Sequence, residues 1–403
     1  MLKQVHKEIE ELFPEMVEIR RYLHQYPELS FQETNTAKYI ANFYKELGIP
    51  YRTNVGGNGV IATLKGGKPG KTIALRADFD GLPIQDEKDV EYKSKVDGVM
   101  HACGHDGHTA TLLILAKVMK KYQDELPGTI EFLHQHAEEY APGGAKPIIE
   151  SGAINHVDAV FGTHLWSTTP LGKLQISNDV IMAGADRFEI IIKGKGGHGA
   201  YPHETKDAIV IASQLVTDFQ QIISRRIDPL ESGVITVGSF HAGDAFNVIA
   251  DSAKIVGTVR HFNLGIQEKI IREIERITNG VCIASDAAYE FDYFKGYPPL
   301  VNHEKEAKLV VEASQSIEEI HTVDKNVKPF MAGEDFAYYT MKKPGAFFFT
   351  GAQKQANPYP HHHPKFDFDE RAMPIAAKTL IGAYFVYQNT RESCSQENEM
   401  MRK

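Results

Sequence analysis

His101-Ala102-Cys103-Gly104-His105-Asp106-Gly107-His108 places three imidazoles, a thiol and a carboxylate in one short stretch, and these are donor types that transition metals take. Cys103 and His105 stand two apart, so in an extended segment both side chains leave on one face and can reach one ion or two adjacent ions. A hydrolytic metal site also needs further ligands, an open coordination position for water, and a carboxylate that takes the water's proton. Glu138-Glu139 can divide the last tasks, because neighbouring side chains splay apart and one can ligate while the other acts as base. A closed structural zinc site usually has four thiolate-rich ligands in paired short spacings, and the single cysteine here does not supply that.

His164 and the run His361-His362-His363 are further imidazole donors. Asp78 and Asp80 lie in Arg76-Ala77-Asp78-Phe79-Asp80. They could cap the following turn; Asp78 is read instead as a carboxylate that orients a ligand histidine. The loop Gly194-Lys195-Gly196-Gly197-His198-Gly199-Ala200 lacks the Gly-Lys-Ser/Thr ending of a phosphate loop and does not match the dinucleotide fingerprint. What it offers is His198 on a loop that can approach a ligand. Asn247 and Arg260 are suited to a substrate carbonyl and carboxylate.

The elements that must hold these residues alternate. Leu12, Met16, Ile19 and Leu23 recur at helical spacing before Pro27, and a second helix is expected over 33–47. Strands are expected at 60–64, 71–78, 129–133, 159–165 and 346–350, with helices at 107–122 and 372–387. Lys65 to Gly70 reads as a hairpin or loop between the first two strands. This alternation predicts an α/β catalytic domain with a largely parallel mixed sheet flanked by helices, whose functional groups collect at strand ends. Asp78, the Glu138-Glu139 pair, His164 and the histidine triplet all fall at or just beyond such ends.

The middle of the chain has another rhythm. Strands at 187–193, 233–240, 253–259 and 288–294 with helices at 206–224 and 265–278 give the order β-α-β-β-α-β, the ferredoxin-like split unit. The expected organisation is a catalytic domain over 1–180 and 297–403, its sheet resuming near Pro298 and Leu300, with an inserted lid at 181–296. The tail from Gln388 is polar and expected to fray.

The 403 residues carry 44 Lys plus Arg against 53 Asp plus Glu, a formal charge of −9, so no basic footprint argues for nucleic acid or an anionic membrane. A small-molecule partner fits better. Three cysteines, Cys103, Cys282 and Cys394, cannot form a secreted-type disulfide framework. With no signal-peptide core near the start and no bilayer-length apolar run, the expected location is cytoplasmic.

Together the motifs resemble the M20 metallopeptidase family, in its aminoacylase, hippurate hydrolase and auxin-conjugate hydrolase branch. The resemblance is carried by Arg20 to Phe31, Arg76 to Pro83, His101 to His108, Ala137-Glu138-Glu139, Gly197-His198, Asn247-Val248-Ile249, Gly257 to Arg260, Gly333 to Phe336, and His362-His363-Pro364 with Phe366-Asp367. It implies a centre of two divalent metal ions held by Cys103, His105, Glu139, His164 and His362, with Glu138 as general base. Zinc is the first choice of ion, with manganese, cobalt or nickel as alternatives. It also implies a lid that mediates a homodimer, His198 polarising the scissile carbonyl, and Asn247 and Arg260 binding substrate. The implied activity is hydrolysis of the amide bond of N-acyl amino acids; the alternatives are a dipeptidase or carboxypeptidase of the same fold, or a non-catalytic metal or amino-acid binding protein. One departure is His134-Gln135-His136, where relatives commonly have Gln-Pro before Ala-Glu-Glu, which places extra imidazoles near the base.

Overall fold

The computed structural model describes residues 1–356 and 358–390. Cys394 and most of the polar tail lie outside the described residues. Two compact units are present: Met1–Asp179 with Val301–Lys328 and Tyr338–Lys403, and Val180–Leu300 with Pro329–Ala337.

In the first unit the chain runs α1 (Leu2–Glu11), α2 (Phe13–Gln25), α3 (Thr34–Glu46), β1 (Tyr51–Val55), β2 (Gly59–Lys65), β3 (Lys68–Asp78), α4 (His105–Lys121), β4 (Pro127–Gln135), α5 (Ala145–Glu150), β5 (Ala159–Pro170) and β6 (Lys173–Gln175). The second unit carries β7 (Val180–Met182), β8 (Gly184–Lys193), β9 (Gly197–His198), α6 (Ala208–Gln221), β10 (Gly233–Ala242), β11 (Val248–Ile249), β12 (Ser252–His261), α7 (Leu264–Ala284) and β13 (Ala288–Tyr297). After β14 (Leu300–Val301) come α8 (Glu304–Ser314), β15 (Thr322–Asp324), α9 (Ala337–Thr340), β16 (Gly345–Gln353) and α10 (Ala372–Asn389).

The first unit is built on an eight-stranded sheet in the order β1-β2-β4-β3-β5-β16-β6-β15. Its centre is parallel, with β3 beside both β4 and β5, and β5 beside β16. The antiparallel pairs lie toward the edges. Strand β16, Gly345–Gln353, is buried along nearly its whole length, as a central parallel strand must be when helices cover both faces. Helix α10 is buried on all sides and α4 on nearly all, so both are interior helices rather than amphipathic covers.

One alternative is decided and two expectations need correction. Of the hairpin and loop readings of Lys65 to Gly70, the loop holds: β4 lies between β2 and β3 and pairs with both, and Gly66-Gly67 makes the crossing from Lys65 to Lys68. His164 does not end its strand, because β5 continues to Pro170; it lies beyond Gly162, where β5 loses β3 as a neighbour, which still leaves it at the mouth of the sheet. The sheet does not resume at Leu300, since β14 stands outside it; the returning chain re-enters through β15 and β16.

The second unit has a four-stranded antiparallel sheet in the order β10-β12-β8-β13, backed by α6 and α7, which is the predicted β-α-β-β-α-β split unit. Its core joins Phe188, Ile190 and Ile192 of β8 to Leu215 and Phe219 of α6 and Ile270 and Ile274 of α7. Alternate β8 residues are buried, the period of a sheet with one covered face. Helix α6 ends at Gln221 in a wider π turn over Ile222–Arg226.

Candidate metal centre

Two strand ends and one helix start converge in the first unit. Asp78 is the last residue of β3, and Glu138-Glu139 follow β4 after a left-handed turn at Ala137 (φ 51°). Helix α4 begins at His105 directly after Gly104, whose φ of 98° is a conformation glycine adopts freely. Cys103 and His105 therefore flank the helix N-terminus, where free backbone N–H groups favour a thiolate.

Cys103 Sγ lies 3.3 Å from His164 Nε2, and His164 donates Nδ1–H to the Leu165 carbonyl at 3.0 Å. His105 donates Nδ1–H to the Asp80 carboxylate at 3.0 Å, which leaves Nε2 buried with no hydrogen-bond partner. In both rings the bond at Nδ1 aims the Nε2 lone pair at the same space, the arrangement that orients metal-ligating histidines. Glu139 Oε1 is likewise buried without a hydrogen-bond partner, and Glu139 Oε2 lies 3.2 Å from His362 Nε2. Donor atoms of Cys103, His105 and His164 fall within 4.8 Å of one another, as do those of Cys103, Glu139 and His362, and those of His105, Glu138 and Glu139. Two of these groups share Cys103, so these residues would hold two ions.

The charge state of the cluster also calls for a cation. Burial and then the Glu139 and Glu138 carboxylates hold the Cys103 thiol well above its ordinary range, so the thiolate needs positive charge beside it. Burial opposes protonation of His105, yet Asp78 and Asp80 draw its pKa up to about 10: a positive charge is favoured where Nε2 points. His362, with about half of its side chain exposed, is raised by its bond to Glu139 against partial desolvation. His164 is driven well below its usual value by burial and the neighbouring imidazoles, which keeps it neutral as a ligand must be. These donors fit divalent metal ions.

The histidine triplet is separated by geometry. His361 donates Nε2–H to the Leu165 carbonyl at 3.2 Å and packs on Trp166 and Phe366, while His363 Nδ1 accepts the Lys365 N–H at 2.9 Å. Of the three, His362 is the one in a donor group. His108 has both nitrogens committed, Nδ1 to Asp78 at 2.6 Å and Nε2 accepting the Leu165 N–H at 2.9 Å, so its role is to brace β5 against α4. Asp78 is thus bonded to His108 and Arg76 rather than to His105, from which its nearest oxygen is 3.6 Å.

The carboxylate that aligns His105 is Asp80, which the sequence reading left aside. Its second oxygen accepts the Glu139 backbone N–H at 2.9 Å and the Ser30 hydroxyl at 2.7 Å. The extra imidazole His134 is not near the base: its Nε2 meets the Tyr44 hydroxyl at 2.8 Å within the core, and burial lowers its pKa to about 3.

Glu33 was also missed. It is fully buried, with one oxygen accepting the Ala137 N–H at 2.8 Å and the other the Asn58 amide at 3.0 Å. Burial pushes its carboxyl up to about 7, against an ordinary 4.5. As pH rises through this interval the unfolded chain gives up its proton before the folded chain does, so the stability that protonated Glu33 contributes at low pH is lost by about pH 7. Glu33→Gln cannot titrate. The thermal midpoint of metal-stripped wild type should therefore fall relative to that of Glu33→Gln between roughly pH 5 and 8, by the equivalent of about 3 kcal/mol. A constant gap across that range would show that Glu33 is ionised throughout.

In the second unit, His198 is exposed on β9, which pairs with β11 so that His198 faces Val248. Its Nδ1 accepts the Ala200 N–H at 3.0 Å, which in the neutral ring leaves the proton on Nε2 as a donor. Asn247 is exposed, and its carbonyl accepts the Gly199 N–H at 2.8 Å. Arg260 donates to the Met331 and Val259 carbonyls, each at 3.1 Å, and to Thr258 Oγ1.

Comparison with known proteins places this geometry in context. The Bacillus subtilis protein YhaA is 54% identical over 96% of this chain and 98% of its own length. An N-acyl-L-amino acid amidohydrolase of Geobacillus stearothermophilus is 45% identical over 75% of this chain and 82% of its own. The crystal structure of Bacillus subtilis YXEP, a dinuclear metal binding peptidase, superposes with a TM-score of 0.80 at 34% identity, covering 94% of this chain and 99% of that one. The model of peptidase family M20/M25/M40 matches residues 74–384, which include each donor of the cluster, and with these relatives it shows that the chain belongs to that family.

Proposed function

We propose that the protein is a metal-dependent amidohydrolase that cleaves the amide bond of N-acyl amino acids. The observation that carries this reading is a donor set of Cys103, His105, Glu139, His164 and His362, buried at His105 and His164 and opening outward at His362, with His105 Nε2 and Glu139 Oε1 lacking hydrogen-bond partners, beside a second carboxylate, Glu138. The five donors would hold two divalent ions, zinc first among them, because imidazole, carboxylate and thiolate together suit it. When bound, the ions supply positive charge that polarises an amide carbonyl and acidifies water.

The chain's own residues do the rest. Asp80 fixes the tautomer of His105 through Nδ1 and, through the Glu139 N–H, the direction of the carboxylate pair. Glu138, adjacent to Glu139 but absent from the Cys103–His362 group, takes a proton from water on its carboxylate and delivers it to the leaving amine nitrogen. From the second unit we assign His198 Nε2–H to the substrate carbonyl oxygen, one such donor being typically worth about 3 kcal/mol of barrier. Asn247 and Arg260 are assigned to the rest of the substrate. That unit, which we read as a lid, would also pair two copies of the chain: Leu230 and Phe246 stand almost fully exposed, and β10 ends its sheet with an open edge.

The test is a panel of N-acetyl and N-benzoyl amino acids and dipeptides, offered to metal-stripped protein with zinc, manganese, cobalt or nickel added back, alongside sedimentation of the holoenzyme. The expected result is hydrolysis that needs an added ion, at least about tenfold faster on the acylated amino acids than on dipeptides, by a dimer. Faster release from dipeptides would make the protein a peptidase of the same fold, and hydrolysis indifferent to the ions would overturn the metal reading.

A further inference from the structure

Helix α3 opens on Glu33, a residue placed to cap it, since a carboxylate at that position can accept the free N–H groups of the first turn. Glu33 makes no such bond. Its fully buried side chain crosses instead to the segment after β4: one oxygen accepts the Ala137 N–H at 2.8 Å, and the other the Asn58 amide at 3.0 Å, from the turn between β1 and β2. A local partner is given up for one 104 residues away.

Ala137 has use for that partner. Its φ of 51° lies in the left-handed region, which a residue with a Cβ occupies at a cost and keeps only where its surroundings over-determine it. Both of its backbone groups are held, the N–H by Glu33 and the carbonyl by the Gly144 N–H at 3.1 Å. Gly144 approaches so closely that a Cβ there would come within 2.0 Å of the His136 carbonyl oxygen. Two residues on, the Glu139 N–H is held by Asp80, and Asp80 by the Ser30 hydroxyl. Ser30 and Glu33 belong to one loop, whose Phe31 lines a cavity of about 410 Å³ with Leu82, Pro83 and Tyr140.

We propose that Glu33 is a positioning residue for the hydrolysis: by holding the Ala137 N–H it fixes the left-handed turn that aims the Glu138 carboxylate. The proposal rests on the amidohydrolase reading. Glu138 follows Ala137 directly, so relaxation of Ala137 into an ordinary backbone conformation swings the base away from the water it must deprotonate. Misplacing a reacting group by about 1 Å can cost about 100-fold in rate. Glu139 is better protected, because Asp80 holds its N–H independently. Glycine takes a left-handed φ without the Cβ penalty, so Ala137→Gly should preserve the turn once Glu33 no longer holds it.

The experiment measures kcat and KM on one N-acyl amino acid for ion-loaded wild type, Glu33→Ala, Glu33→Leu, Glu33→Gln and the double variant Glu33→Ala/Ala137→Gly, well below each thermal midpoint. Competition with a chelator gives the ion affinity of each protein. Glu33→Ala should lose about 100-fold in kcat with KM little changed, while its ion affinity falls by less than about tenfold. Glu33→Leu, which fills the buried space without an acceptor, should lose as much. Glu33→Gln keeps a carbonyl oxygen for the Ala137 N–H, and Asn58 can turn its amide to meet the other end, so this variant should lose far less than alanine. The double variant should recover most of the loss. A lower thermal midpoint with kcat unchanged would make Glu33 a purely structural residue and overturn the proposal. A fall in kcat that glycine leaves untouched, or that follows loss of ions, would overturn it too. In each of these cases the amidohydrolase reading stands, whereas no hydrolysis of any N-acyl amino acid by ion-loaded wild type would overturn both.

Discussion

Glu138→Gln is expected to lower kcat by about a thousandfold while the protein keeps its full complement of ions. The glutamine has the same shape and can still accept a hydrogen bond, but it cannot take and return a proton. Glu138 is 6% exposed, and its Oε2 lies 3.9 Å from His105 Nε2, so the substitution leaves the packing of the cluster in place. Elemental analysis of the purified variant beside steady-state rates gives a two-way reading. Loss of ions in step with activity would make Glu138 a ligand, a role its grouping with His105 and Glu139 permits geometrically. Activity within tenfold of wild type, with ions retained, would assign the proton transfer to another group.

Replacing Arg20 by alanine should cost about 3–5 kcal/mol of stability, because it strips the partner from buried carboxylates. Arg20 is fully buried on α2, with Nε donating to Asp106 at 2.8 Å, Nη2 to Asp367 at 3.0 Å and Nη1 to Glu370 at 3.1 Å. The guanidinium also lies over the Tyr92 and Phe368 rings. Burial works against its charge, but Asp106 and Asp367 hold it well above its usual value; Arg20 and His24 in turn hold Asp106 far below its own against the same burial. Lysine should not rescue, since one ammonium cannot reproduce three directed contacts. Calorimetry should show the transition of the first unit moving down in temperature. Because Asp106 adjoins His105, ion affinity should also fall about 10- to 100-fold. A variant with an unchanged transition would mean that the carboxylates take up protons or water at little cost.

Much of the site is legible in sequence because its donors are chemically distinctive and its motifs are short. Cys103, His105, the glutamate pair and His362 need only residue type, spacing and family resemblance to be singled out, and the structure gathers them with His164 into overlapping groups. What escapes is whatever depends on the partner of a side chain. His134 looks like a pocket residue until Tyr44 is seen to take it into the core. Asp78 and Asp80 are equal in sequence, and only the return of β4 beside β3 decides that Asp80 meets His105 and the Glu139 N–H. The open choice between hairpin and loop has the same origin: strand order is a long-range property, and nothing in Lys65 to Gly70 reports that β4 intervenes. Left-handed Phe31, Ala137 and His362 are also invisible, since none is a glycine that would mark the position.

The loop from Leu29 to Glu33 does two jobs within a few residues. Ser30 and Glu33 reach into the framework that orders Asp80 and Ala137, while Phe31, between them, faces the cavity. A cavity wall and the framework of the carboxylates are therefore written on one stretch of backbone. Randomising this loop as a block would disturb Asp80 and Ala137 together with the cavity wall, whereas a library confined to Phe31, Leu82 and Tyr140 would reshape the wall and leave those hydrogen bonds in place.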